Sequence, residues 1–142
     1  MIHIRRSAIV RHSPEQMFDL VNDVGAYPRR FSWCDDAQVL EIDEASMTAR
    51  LDLRLGALTQ GFTTRNTFER PQRITLGLVE GPFRALNGDW IFTRLGDDGC
   101  KIALALDFDY AGLIAPVLRS GFQKLADRMV DEFCREADRV YA

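Results

Sequence analysis

Histidine is almost missing from this sequence: His3 and His12 are the only two in 142 residues. Both fall at or beside the first expected strand, so we expect exposed or structural roles for them. Cysteine is nearly as sparse. Cys34, Cys100 and Cys134 are odd in number and show no C-x-x-C spacing, which suits a reducing compartment better than a disulfide framework. With so few His and Cys partners at usable spacing, metal ligation finds no support, and no glycine-rich phosphate loop is present. The chain also lacks a run of about 18 apolar residues that would span a membrane. Its N-terminal residues alternate around Arg5 and Arg6 instead of forming the apolar core of a signal peptide. A large excess of either charge is missing too. The net charge of -3 provides no global cationic field to draw the protein to nucleic acid or to anionic lipid. A soluble, cytoplasmic protein is the expectation, with attachment to the periphery of the inner membrane as the variant.

What is present is a length suited to one domain, residues 1–142, and a hydrophobic content of 46%, enough for a proper core. Residues 1–94 carry 12 basic and 12 acidic side chains and the remainder 6 and 9, so the acidity belongs to the final third. That leaves room for a local arginine patch elsewhere.

Residues 112–140 organise the chain. Ile114, Leu118, Phe122, Leu125, Met129, Phe133, Ala137 and Val140 recur three or four apart, the spacing of one face of a long helix. Its opposite face, from Arg119 through Lys124, Arg128, Asp131 and Glu136 to Arg139, reads as solvated. Ahead of it, period-two alternation predicts strands. Ile2, Ile4, Ala8 and Val10 form the first. Ser13-Pro14-Glu15-Gln16 then gives a cap hydroxyl, a proline at the first helical position and a capping-box glutamine, so a helix with Met17, Phe18 and Val21 buried should follow. Asp23 can cap a second short turn. Residues 27–36 show no period and are rich in large rings. From Gln38 onward a hairpin turns near Glu44-Ala45-Ser46, and residues 56–61 connect it to Phe62, Thr64, Asn66 and Phe68 on one face. Ile74, Leu76 and Leu78, then Leu86, Gly88, Trp90 and Phe92, and last Cys100, Ile102, Leu104, Leu106, Phe108 and Tyr110, continue the alternation between Gly/Pro turns. The order is strand, two short helices, six strands, long helix. Short turns favour an antiparallel meander whose apolar face has one element long enough to cover it.

In order and spacing, Tyr27-Pro28 with Trp33-Cys34, Phe62-Thr63-Thr64-Arg65-Asn66, Gly81-Pro82-Phe83 with Leu86, Gly88, Trp90 and Phe92, and Met129-Val130, Phe133 and Val140-Tyr141 form a recognisable set. This set resembles the coenzyme Q-binding START-like family of the polyketide cyclase/dehydrase-like group, along nearly the whole chain. The resemblance implies an α+β helix-grip (START/Bet v 1-like) fold: a curved antiparallel seven-stranded sheet around a long C-terminal helix, with two short helices after strand 1 and a hydrophobic cavity inside. It implies no cofactor in the catalytic sense, but a bound ubiquinone or other isoprenoid lipid. The family also includes a bacterial ribosome-association toxin, which makes the large ribosomal subunit a second candidate partner. One departure stands out: Arg30 and Ser32 occupy positions where the family usually has an apolar residue and a proline, and Arg30 can meet a polar head group at the rim.

Catalysis finds little support in the residues themselves. Cys34 beside Trp33 has no identifiable base and reads as packing. Asp35-Asp36 and Asp107 with Asp109 read as solvated surface. The expected ligand-binding residues are Trp33, Phe62, Thr64, Asn66, Leu78, Phe83, Gly88, Trp90, Phe92, Leu106, Phe108, Leu118, Phe122, Leu125 and Met129. Gly88 and Thr64 should leave space between sheet and helix, and Asn66 should offer a hydrogen bond to a ligand oxygen. Arg29, Arg30, Arg50 and Arg54 are the candidate rim or RNA contacts. The leading expectation is a non-enzymatic domain binding a hydrophobic small molecule, with transient membrane contact, in support of respiration. A toxin that blocks association of the ribosomal subunits is the alternative, and a small polyketide cyclase-like enzyme the third.

Overall fold

The computed structural model describes residues 1–142. Strand β1 (Ile2–Val10) leads into α1 (Pro14–Asn22), a 3-10 turn (Val24–Ala26) and α2 (Tyr27–Arg30). Six strands follow: β2 (Cys34–Ile42), β3 (Ser46–Leu55), β4 (Leu58–Glu69), β5 (Arg73–Glu80), β6 (Phe83–Leu95) and β7 (Gly99–Tyr110). Helix α3 (Pro116–Val140) closes the chain. The strands form one antiparallel sheet in the order β1-β7-β6-β5-β4-β3-β2. Each hairpin from β2 to β7 adds the next strand beside the last, and β1 pairs outside β7, with Ile4 opposite Leu106. The expected helix-grip fold is therefore the observed one: the curved sheet holds α3 against its apolar face.

Local chemistry accounts for the boundaries. Ser13 accepts a hydrogen bond from the Gln16 amide at 3.1 Å, and the Gln16 side chain accepts one from the Ser13 amide at 2.9 Å. This reciprocal cap contributes about 1 kcal/mol and starts α1 where Pro14 needs no donor. Met17, Phe18, Leu20 and Val21 then face the core. Strand β7 buries every second side chain from Cys100 to Tyr110. At roughly 1.5–3 kcal/mol for each large side chain removed from water, these alternating faces supply most of the drive for the sheet to wrap α3.

The structure moves several sequence-based boundaries. Helix α3 starts at Pro116, four residues later than the periodicity suggests, because Gly112 adopts φ +62° and Ala115 is extended. Val140 is exposed at the far end, and Glu136 is buried beneath Arg139, with which it pairs, although its place in the repeat put it on the solvated face. Strand β4 begins at Leu58, so the expected connection over 56–61 shrinks to Gly56-Ala57, with Gly56 at φ +67°, the left-handed geometry that so tight a turn requires. The aperiodic segment 27–36 resolves into α2, whose first turn accommodates Pro28, and the start of β2. Asp23 precedes the 3-10 turn without a side-chain capping bond. No helix is long and apolar enough to cross a membrane.

Candidate functional site

Helix α3 is held off the sheet by two groups of aromatic rings. Towards its C-terminus, Phe133 meets Phe31 at 4.9 Å, Trp90 at 5.3 Å and Tyr27 at 5.5 Å between ring centroids. Towards its N-terminus, Phe122 meets Phe83 at 4.8 Å and Phe108 at 4.9 Å. These two residues are eleven positions apart, about 16 Å along the helix at ~1.5 Å per residue. Between them Leu125, Ala126 and Met129 face the gap, and Ala126 offers it the smallest side chain. A cavity of about 110 Å³ results.

Its wall comprises Val24 and Tyr27, Trp33, Leu51 and Leu53 of β3, Phe62, Thr64 and Asn66 of β4, Leu76 of β5, Leu86 and Trp90 of β6, Leu104 and Leu106 of β7, and Phe122, Leu125, Ala126, Met129 and Phe133 of α3. Thr64 and Asn66 interrupt an otherwise apolar surface. The Thr64 hydroxyl donates to Asn66 Oδ1 at 2.8 Å, which leaves the Asn66 amide N–H groups for a further acceptor. The indole N–H of Trp33 is buried with no hydrogen-bond partner. The Tyr27 hydroxyl is already committed to the Val21 carbonyl. The polar offer of the cavity is thus of donors, and it fits a ligand that is apolar apart from a carbonyl or ether oxygen. Size limits what enters, because an apolar cavity of about 150 Å³ is what takes a single benzene ring. A substituted ring fits here only if the walls move, and a prenyl tail would extend beyond them.

Of the fifteen residues expected at the ligand, the structure brings nine to the cavity: Trp33, Phe62, Thr64, Asn66, Trp90, Leu106, Phe122, Leu125 and Met129. Six lie elsewhere. Phe83 and Phe108 belong to the aromatic group that closes one end, and Phe92 packs behind Trp90 on Phe18 at 5.8 Å. Leu78 and Leu118 are half-buried at the margins of the core. Gly88 opens no space: a Cβ there would collide with the Ala105 carbonyl and approach Leu106 Cα to 2.9 Å, so its role is close contact between β6 and β7. The residues missed on the strands, Leu51, Leu53, Leu76, Leu86 and Leu104, share inward faces with those named, and following the period of two would have found them. Ala126 and Phe133 lie on the helical stripe. Val24 and Tyr27 sit where no period exists.

The cavity wall carries no carboxylate, imidazole, thiol, amine or guanidinium group. Neither histidine lines it: His3 Nδ1 lies 2.6 Å from Asp107 on the surface, and His12 Nε2 lies 2.7 Å from Asp138. The His3 ring and the Arg5 guanidinium hold Asp107 below the usual carboxylate range. Asp35 is likewise held low by the Thr59 hydroxyl and Arg54. Burial pushes the Cys34 thiol up to about 11, so it stays protonated at neutral pH, and it donates to the Asp36 carbonyl at 3.3 Å. No three His, Cys, Asp or Glu side chains cluster closely enough to hold a metal ion.

None of the four rim arginines lines the cavity. Arg54 pairs with Asp35 at 2.8 Å, Arg50 with Asp52 at 3.1 Å and Arg30 with Asp23 at 3.6 Å. Arg29 is exposed and makes no ion pair.

Residues 10–134 match the model of the family described as polyketide cyclase / dehydrase and lipid transport. The chain is 46% identical to the ribosome association toxin RatA of Pseudomonas aeruginosa over 140 residues, 98% of this chain and 97% of that protein. It is 24% identical to the mitochondrial coenzyme Q-binding protein COQ10 homolog B of Xenopus laevis, covering 99% of this chain and 59% of that protein. Among solved structures, the Zhui aromatase/cyclase from Streptomyces sp. R1128 superposes with a TM-score of 0.87 over 99% of this chain and 96% of that one, at 17% identity. Fold, core motifs and sequence agree: the chain belongs to the polyketide cyclase/dehydrase and lipid transport family, of START-like fold.

Proposed function

We propose that the protein is a non-enzymatic ribosome-association factor of the RatA type, acting by binding the large ribosomal subunit. The observation that carries this reading is the 46% identity, running almost end to end, with a protein of that name. The residues by themselves point first to lipid binding; the ribosomal reading draws its support from the relatives, since the likeness to a coenzyme Q-binding protein is much weaker and covers little over half of that protein. A cavity wall without a carboxylate, imidazole, thiol or amine supports binding over catalysis. The test is the subunit profile of purified ribosomes on a sucrose gradient after addition of the protein. A fall in the associated particle with a matching rise in free subunits supports the reading; an unchanged profile with the protein at the top of the gradient overturns it.

The cavity favours a second reading, binding of an apolar molecule with an acceptor oxygen, such as an isoprenoid quinone. Asn66 is its distinguishing residue. Asn66→Leu keeps the number and branching of the side-chain heavy atoms and removes the donor, so quinone affinity should fall roughly 3- to 10-fold, about the worth of one neutral hydrogen bond. Equal affinity for both proteins would remove Asn66 from the site, and no saturable quinone binding by the wild type would remove the reading.

A further inference from the structure

Beside the N-terminal half of α3 the molecule presents an apolar tip backed by free cations. Leu113, three residues before the helix, is fully exposed, with Val117 at 47% and Leu58 at 41%. The Gly56 turn brings two of these together, since a Cβ at Gly56 would stand 3.8 Å from Val117 Cγ2 and Leu58 pairs with Leu55 across that turn. Next to them a groove of about 280 Å³ runs between the turn and the helix, with Lys124 and Arg128 on its wall and no acidic residue. The chain carries no carboxylate from residue 110 to 126 or from 53 to 68, the two stretches that meet here. Most other arginines are tied into ion pairs, but Lys124 and Arg128 have no such partner.

Two chemistries present anions to such a face, ribosomal RNA and an anionic bilayer, and the aliphatic side chains separate them. A phosphate surface offers Leu58, Leu113 and Val117 nothing apolar to enter. A bilayer accepts them at the boundary of headgroups and acyl chains, with the cations at the headgroup level. We propose that this tip is a docking face for an anionic lipid bilayer. Leu125 lines both the groove and the buried cavity, so docking sets the membrane against one wall of that cavity. The proposal does not rest on ribosome binding.

Flotation of the full chain with vesicles of phosphatidylcholine, alone or mixed with phosphatidylglycerol, tests it. The wild type should float with the mixed vesicles and lose binding as salt rises. Leu113→Asp with Val117→Asp, and separately Lys124→Glu with Arg128→Glu, should each lower the bound fraction roughly tenfold, while Leu40→Asp on the exposed part of β2 leaves it unchanged. All four side chains altered are at the surface, and unchanged urea midpoints verify that the variants fold; the single Leu113→Asp, at a fully exposed position, serves if the double variant does not. The proposal is overturned if the wild type stays out of the lipid fraction, if the aspartate variants float like the wild type, or if the same variants instead lose co-sedimentation with large ribosomal subunits.

Discussion

The two halves of α3 are built from one repeat and behave as different materials. In the C-terminal half, Val130, Phe133 and Ala137 are 2%, 1% and 0% exposed, and Phe133 is enclosed by Tyr27, Phe31, Trp33 and Trp90. Beyond the packing, His12 meets Asp138, and the Tyr141 hydroxyl donates to the Gln16 carbonyl at 3.0 Å, tying the helix end to α1. In the N-terminal half Val117 lies in water, Leu118 is half-buried, and beyond the Phe122 ring the helix bridges the cavity. Two side-chain ties hold this half, a hydrogen bond from the Tyr110 hydroxyl to the Arg119 carbonyl and the exposed ion pair of Arg6 with Asp127. The same amphipathic pattern therefore yields an anchor where large rings fill the space and a cover where a small side chain leaves it open. A segment with fewer buried contacts opens at lower free energy, so exchange of anything in the cavity should proceed through the N-terminal half.

Breaking the anchor should have the largest effect. Phe133→Ala is expected to cost about 3–5 kcal/mol by urea unfolding, since the surrounding rings cannot collapse onto the gap. A loss below that of Met129→Ala would mean the anchor is elsewhere. Next comes the same substitution at two sites. Ala137→Leu should cost about 1–3 kcal/mol because it overpacks a filled site, whereas Ala126→Leu should be neutral or stabilising by up to about 1 kcal/mol because it grows into the cavity. Equal costs would erase the distinction between the halves. Alkali should act through the thiols. Burial pushes Cys34 and Cys134 up to about 11, and unfolding returns them to about 8.5. The folded state thus prefers the protonated form. Its contribution is complete below the unfolded value and is lost as pH rises from there through the folded values. The urea midpoint should fall between those limits, and fall less in a Cys34→Ala/Cys134→Ala double variant. Smallest of all, Arg128→Ala on the exposed face of α3 should stay within about 0.5 kcal/mol of wild type.

How legible each feature was depends on its range. The capping box at Ser13, the alternation of β7 and the stripe of α3 are local patterns, and each is present where the sequence puts it. The cavity is a difference between two surfaces. Period two tells which residues of β3 to β7 point inward, but whether an inward ring lines space, as Trp90 does, or fills it, as Phe92 does, depends on how far Phe122 and Phe133 hold the helix away. Gly88 shows the same limit: a missing side chain reads as room, while the neighbouring strand has already taken it. The surroundings of the arginines are a matter of longer range. Arg54 and Asp35 are 19 residues apart and join only because β2 and β3 pair, so a cluster that looked free is largely neutralised on the surface. The free cations, Lys124 and Arg128, were hidden within a face of mixed charge whose acids point elsewhere: Asp127 towards Arg6, and Glu136 towards Arg139.

Co-sedimentation of the purified protein with large ribosomal subunits over a range of salt tests the central functional reading most directly. The account predicts binding at low salt that weakens steadily as salt rises, through release of counterions from RNA. It also predicts the same binding for Ala126→Leu, whose cavity is filled. A protein that remains in the supernatant at every salt concentration, while a prenylated quinone is extracted from the wild type but not from Ala126→Leu, would contradict it and return the cavity to the centre of the function.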